Sequence, residues 1–432
     1  MTKSEFVHSV EAYIPKLLLK IYRNSKRYVI WKRQQCAYKI AIRKVRAKKT
    51  PLNVVFLVHD SAIWKYDSLY RLIMLDVNFN PIIVVCPIRA YQTECQVQEL
   101  FTHTYNTFNS RGYNVIKAAD KYPEQSIDIT TLEPDIIFYS YLWTGMIDSK
   151  YDIYNLRRYL KCYVDYGYCS IVDEWGYSSA FHGLMWRYFT ECEAIKDLAI
   201  LAQPKELRNA VVTGYPVYDE YQTVKEDASM WKNPNPKFKR VIWAPHHTIE
   251  GHDGLLKFST FLEIAELMLC VASEYKDTIQ FAFKPHPSLK TVLYRHPNWG
   301  VEKTEEYYNN WANGDNTTLV EGPYMDLFKS SNAMIHDCGS FIVEYLYSMK
   351  PVMYLGSNRE EQSNIVGKRA YHCHYHGTAI EDVRNFIDEV VLRGDDSMKP
   401  QREQFHNEVL LPPNGLTVAE NIINEIKKEL RR

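Results

Sequence analysis

Short apolar, β-branched runs alternate with helical stretches twice along this chain, and a proline-broken polar segment divides the two series. The first series predicts strands at Leu52–Val58, Pro81–Cys86, Asp135–Ser140, Cys162–Asp165, Leu198–Leu201 and Asn209–Thr213, with helices over 61–75 and 90–110. Trp231–Arg240 holds two prolines among charged residues and reads as a linker. The second series predicts strands at Arg240–Ala244, Ile279–Phe283, Thr317–Val320, Ala333–His336 and Pro351–Leu355. Helices are expected near 255–275, 302–312, 323–330, 339–349, 379–393 and 416–431. Continuous apolar strands separated by helices imply parallel sheets covered on both faces. The chain therefore reads as α/β, two Rossmann-like lobes facing a cleft, with lobes at 51–230 and 240–432 after a basic segment at 1–50. Ligands of such sheets bind beyond the carboxyl ends of the strands.

Several function classes lose support at once. Neither GxGxxG nor GxxxxGK[ST] occurs, which weighs against a dinucleotide dehydrogenase or a P-loop enzyme. The nine cysteines are odd in number and form no CxxC pair, so reduced thiols in the cytoplasm are expected. No apolar run reaches the ~18 residues of a membrane span. The 33 tyrosines suggest rings half-buried in binding grooves.

Charge is unevenly spread. No acidic residue lies between Glu11 and Asp60, whereas thirteen basic ones do. The first 59 residues carry +12 in a neutral chain, so the remainder carries −12. Within residues 12–49, Ile14, Leu17, Leu18 and Ile21 follow helical spacing, and Trp31 and Tyr38 sit among the cations. A basic amphipathic helix of this kind suits an anionic membrane surface. The competing reading is a helix packed on the body with a solvated basic face. No nucleic-acid motif accompanies the charge, and no nucleic-acid partner is expected.

Four strand ends in the second series carry unusual residues: Pro245 to Thr248 with His246 and His247, Lys284-Pro-His286-Pro, Glu321 to Asp326, and His336 to Glu344. In the last, Gly339 permits a tight turn and a helix begins near Ser340, which makes a phosphate site of free N–H groups. Ser340 is expected to cap that helix. Glu344 lies one turn on and could accept from both ribose hydroxyls. Prolines stiffen the turn that carries Lys284 and His286, a cation and imidazole suited to a diphosphate. His372, His374 and His376 alternate and would share one face of a strand, but no further ligand is spaced to complete a zinc site, so no metal is expected.

These second-series elements resemble the CDP-glycerol glycerophosphotransferase family, the primases and polymerases of teichoic acids. The likeness covers roughly 160–425. Val241 to Thr248 looks like the family strand that ends Ala-Pro-Thr, and Lys284-Pro-His286-Pro matches its Lys-x-His-Pro. Asp337-Cys338-Gly339-Ser340 stands at its Asp-Tyr-Ser-Ser, and Thr213 to Asp219 looks like its Thr-Gly-x-Pro-x-x-Asp. Lys350 to Tyr354 and Asn414 to Asn421 complete the set.

The resemblance implies a GT-B-like fold and an enzyme using CDP-glycerol as donor substrate, with no cofactor. That enzyme would pass a glycerol-phosphate or related alditol-phosphate to a hydroxyl of a glycan or lipid-linked acceptor and release CMP. Donor-binding residues would be His246, His247, Thr248, Lys284, His286, Asp337, Cys338, Gly339, Ser340 and Glu344. The family's Trp-His-Gly, whose His is thought to be the base, is replaced by Asp165-Tyr166-Gly167, so Asp165 or His182 becomes the candidate base, with His286 a further catalytic candidate. A cytoplasmic protein, peripheral on the inner face of the membrane, is expected. The rival enzyme is a glycosyltransferase of the same fold that uses a nucleotide sugar in surface polysaccharide synthesis. A glycan-binding scaffold is the non-catalytic alternative.

Overall fold

A computed structural model describes residues 16–431, apart from 89–92, 122–123, 144, 172–176, 178, 250–257 and 357–359. Side chains are described from residue 26 onwards. Residues 12–15 of the basic segment, and the starts of the helices expected from 90 and 255, lie outside the described residues.

The first sheet has seven strands: β1 (Leu52–Val58), β2 (Phe79–Val85), β3 (Val115–Lys117), β4 (Ile136–Tyr139), β5 (Leu160–Val164), β6 (Arg187–Thr190) and β7 (Ala210–Val212). Their order is β3-β2-β1-β4-β5-β6-β7 and every pairing is parallel. The second sheet has six: β8 (Lys239–Ala244), β9 (Ile279–Phe283), β10 (Thr317–Leu319), β11 (Ala333–His336), β12 (Val352–Leu355) and β13 (Tyr375–Gly377). Its order, β10-β9-β8-β11-β12-β13, is also wholly parallel. Each sheet reverses its strand order once, between β1 and β4 and between β8 and β11. Crevices open at such reversals.

The strands read as uninterrupted apolar runs because both faces are covered. Val54 to Val58 and Val241 to Ala244 are buried throughout. Tyrosine departs from its expected role. Tyr66, Tyr70, Tyr139, Tyr151, Tyr163, Tyr188, Tyr215 and Tyr308 are fully buried. Their hydroxyls reach backbone or carboxylate partners in several cases: Tyr66 Oη donates to Tyr139 O at 2.5 Å and accepts from Val164 N at 3.1 Å. A buried phenol is tolerated when its O–H is paired.

Leu198–Leu201, expected as a strand, lies inside helix Glu193–Ala202. The segment supports a helical stripe, with Ile195 and Ala199 buried four residues apart. The helix expected over 61–75 is a 3-10 turn, Ser61–Ile63, followed by helix Asp67–Met74. Strands β3 and β6 were not foreseen: β3 has only two apolar residues and β6 opens on Arg187, so neither makes a continuous apolar run. Strand β13 overlaps the His372–His376 stretch whose alternation suggested a strand.

The N-terminal helix runs Lys16–Ala47. Gln34, Tyr38, Ala41 and Val45 recur at helical spacing and are buried against the first lobe. Tyr38 Oη donates to Leu184 O at 2.6 Å, and the buried Lys161 ammonium donates to Gln34 at 3.0 Å. The described part of this helix therefore packs on the body. Lys26, Lys32, Arg33, Lys39, Arg43 and Lys44 stay exposed. No described helix is long and apolar enough to cross a membrane. The C-terminal helix, Val418–Leu430, follows the second sheet in sequence but packs on the first, contributing Ile422, Ile423, Ile426 and Leu430 to its core.

Candidate functional site

The second-lobe site forms where β8, β9 and β11 end side by side, at the strand-order reversal. Parallel register sets the turns: Lys284 N donates to Trp243 O at 2.8 Å and His286 N to Pro245 O at 3.0 Å. The His246, His247 and His286 rings are thereby brought into contact, tilted or edge-on to one another. Ring centroids are 4.3 Å apart for His246 and His247, 4.8 Å for His246 and His286, and 4.0 Å for His247 and His286. Burial lowers the pKa of His247. Burial, aided by His247 and Lys284, lowers that of His286 to about 3. Both rings are neutral near pH 7. Lys284 is buried and its pKa is also lowered by burial. One nitrogen from each of the three imidazoles lies within 4.8 Å of the others, so these are described residues that could hold a metal ion. Neutral imidazole is the ligating form.

Other expected donor residues serve the scaffold. Asp337 is buried: Oδ1 accepts from His246 N at 2.5 Å, and Oδ2 accepts from Thr260 N at 2.7 Å and Thr260 Oγ1 at 3.1 Å. Burial raises its pKa to about 7, against those donated N–H groups. Asp337 thus aims the His246 turn. Cys338 Sγ donates to Ala244 O at 3.1 Å. Thr248 Oγ1 lies 2.9 Å from His246 Nδ1 and accepts from Phe258 N at 3.0 Å.

Ser340 does not cap the helix. Its backbone is already helical and its side chain makes no cap bond. The α-helical stretch itself is only Phe341–Glu344, continued as a 3-10 turn over Tyr345–Ser348. Glu344 is buried and both its oxygens are occupied: Oε1 accepts from Tyr215 at 2.8 Å and Oε2 from Tyr324 at 2.5 Å. Lys65 of the first lobe donates to Tyr324 Oη at 3.1 Å. Glu344 therefore joins the lobes; it does not present an open carboxylate. His372, His374 and His376 do not share a strand face. Only His376 is in β13, His374 is buried against His336, and His372 faces Glu360 at 3.3 Å.

The first lobe brings Asp165 to the same cleft. It follows β5, and the loop it opens meets the Gly339 turn. Ser170 Oγ donates to Gly339 O at 3.3 Å, and a methyl added at Gly167 would lie 4.0 Å from Ser340 Cβ. Asp165 Oδ2 accepts from Tyr188, and Oδ1 lies 3.8 Å from His182 Nε2. His182 is enclosed by Tyr163, Tyr177, Phe181 and Tyr188. Neither of its ring nitrogens meets a hydrogen-bond partner among the described residues. Glu191, at the end of β6, was not foreseen. It is buried, accepts from Cys169 N at 3.0 Å, and its pKa is raised to about 8 by burial and by Asp165. Glu191 thus stands near Asp165 at the neighbouring strand end. The sequence signal was a Glu directly after a β-branched, aromatic tetrapeptide.

No family model matches the chain, and no curated protein is similar to it. Solved structures are. A putative UDP-N-acetylglucosamine 2-epimerase from Listeria monocytogenes superposes with a TM-score of 0.54 at 15% identity, covering 88% of this chain and 97% of that one. A variant of the wall teichoic acid polymerase TagF gives a TM-score of 0.53 at 12% identity, covering 96% and 97%. The UDP-GlcNAc 2-epimerase from Neisseria meningitidis bound to UDP-GlcNAc gives 0.51 at 14%, covering 88% and 100%. The chain has an α/β, GT-B-like fold.

Proposed function

We propose that this protein is a transferase that moves an alditol-phosphate unit, such as glycerol phosphate, from a CDP-alditol to an acceptor hydroxyl in surface-polymer synthesis. The observation that carries this reading is the convergence of Lys284, His246, His247 and His286 opposite the Asp165 loop. A cation and neutral imidazole N–H donors suit the diphosphate of an activated donor better than they suit a cationic or apolar ligand. The acceptor oxygen attacks the distal phosphorus, and the phosphorus–oxygen bond to CMP breaks. The acceptor proton passes to Asp165, which lies near the buried Glu191. Such transfer depends mainly on positioning and on donors aimed at spread negative charge. The likeness to TagF, a wall teichoic acid polymerase, supports a role in surface-polymer synthesis; it is a likeness of fold at low identity.

Incubation with CDP-glycerol, CDP-ribitol and nucleotide sugars, with a crude lipid acceptor, tests the reading through the nucleotide released. CMP supports it. UDP, GDP or CDP would replace it with sugar transfer from a nucleotide sugar. The acceptor is a glycan or lipid-linked oligomer, and the exposed cations of the N-terminal helix would hold the enzyme at an anionic inner leaflet.

A further inference from the structure

A cavity of about 460 Å³ lies between the N-terminal helix and the first lobe. Its lobe wall includes Arg187, which opens β6, and Asn209, which precedes β7. It therefore sits at the amino ends of the strands, at the opposite pole from the cleft. Lys32, Lys39, Arg187, Lys205 and Arg208 line it against only Glu206 and Glu429. Arg187 is already paired with Glu425 and Glu429. The other four cations leave an excess of positive charge beside an aromatic wall. Lys32 lies 5.5 Å from the Tyr28 and Trp31 ring centroids, and Lys205 lies 5.6 Å from Tyr28. The rings of Trp31 and Trp186 also line the cavity. An occupant with anionic oxygens would answer that charge.

On the other side of Trp31 lies a second space of about 180 Å³. Ile30, Ala180, Leu184 and the Trp31 ring give it a mostly apolar surface, with Lys26, Arg27, Gln203 and Glu206 also lining it. A cationic, donor-rich chamber beside an apolar slot fits an amphiphile. The exposed helix face outside it carries Lys26, Arg33, Arg43 and Lys44, with Val29 and Ile40 also exposed. That face suits a bilayer surface.

We propose that this cavity binds the phosphate-bearing headgroup of an anionic lipid, with the adjoining slot taking the apolar start of its tail. The proposal extends the membrane reading above but is independent of the donor cleft. It gives the protein a lipid-selective seat in place of general attraction to negative charge.

The test uses the full chain and dihexanoyl phosphatidylglycerol below its micelle concentration, followed by indole fluorescence and calorimetry. One saturable site is expected. The Lys205→Ala/Arg208→Ala double variant should weaken it by at least about tenfold, because each cation near an anionic headgroup contributes roughly 1 kcal/mol. Both residues are exposed, so the melting temperature should be unchanged. Ala180→Phe, which fills the slot, should weaken the lipid but leave any response to inorganic phosphate intact. Equal affinity for inorganic phosphate or for a glycerol-phosphate oligomer would overturn the lipid assignment, as would wild-type binding by the double variant. Vesicle sedimentation is a separate readout: loss of sedimentation with the soluble lipid still bound would remove the general membrane reading alone.

Discussion

His286 shows how the fold keeps an imidazole uncharged at neutral pH. Packed against His247 and near Lys284, it stays neutral at pH 7 and can offer an N–H to a phosphate oxygen. Its Nδ1 accepts from Ser288 N at 3.1 Å, which leaves the proton on the other nitrogen. His286→Ala should lower kcat/KM for the CDP-alditol by about 10²-fold, the scale of one lost transition-state donor. Steady-state kinetics with the released nucleotide as readout checks this. Asp165 and Glu191 give a pH prediction. Glu191 has a folded pKa of about 8, above its ordinary value, because burial and Asp165 disfavour its charged form. Between pH 4.5 and 8 the folded state then binds more protons than the unfolded state, so stability falls as pH rises. Glu191→Gln should flatten that fall, by on the order of 1–3 kcal/mol across the window. Denaturant midpoints of both proteins at pH 5 and pH 8 measure it.

At the scale of elements, the C-terminal helix ties the two series together. Asp219, in helix Val217–Thr223, accepts from Val418 N and Ala419 N at 2.8 Å each. It satisfies two of the four orphan N–H groups at the start of that helix. Thr417 and Glu420 add a capping box. Asp219→Ala should cost about 1–2 kcal/mol in a urea midpoint, whereas Asp219→Ser should recover part of it. The parallel sheets and the strand ends bearing Lys284 and His286 were legible in the sequence, because apolar runs and proline-bounded turns are local signals. The pairing of Asp219 with Val418 was not. It depends on a helix 199 residues away crossing back to the first sheet, which no periodicity encodes. The same reason explains Glu344 and Ser340. Their spacing from the Gly339 turn was readable, but the partners Tyr215 and Tyr324, and the missing cap, follow from how the lobes meet.

On the scale of the whole molecule, the lobes are joined through a buried charge network. Burial opposes the charge on Lys65, yet Glu344, Tyr324 and Glu220 hold its pKa above the ordinary lysine value. Glu344 is the carboxylate that the two phenols bridge. Breaking a buried pair typically costs about 3–5 kcal/mol, whereas replacing both members with apolar or neutral groups is far less costly; Glu220 stays near Lys65 and offsets part of the loss. Glu344→Gln should therefore lower the denaturant midpoint strongly, and Lys65→Met/Glu344→Gln should recover most of the loss. The double variant also separates two roles for Glu344. If it only joins the lobes, the recovered protein should bind the CDP-alditol with nearly wild-type KM. If it holds the ribose hydroxyls, KM should stay raised after stability returns, since the neutral amide is a weaker acceptor for two hydroxyls. Stability and KM measured on the same three proteins decide between a hinge tie and a donor contact.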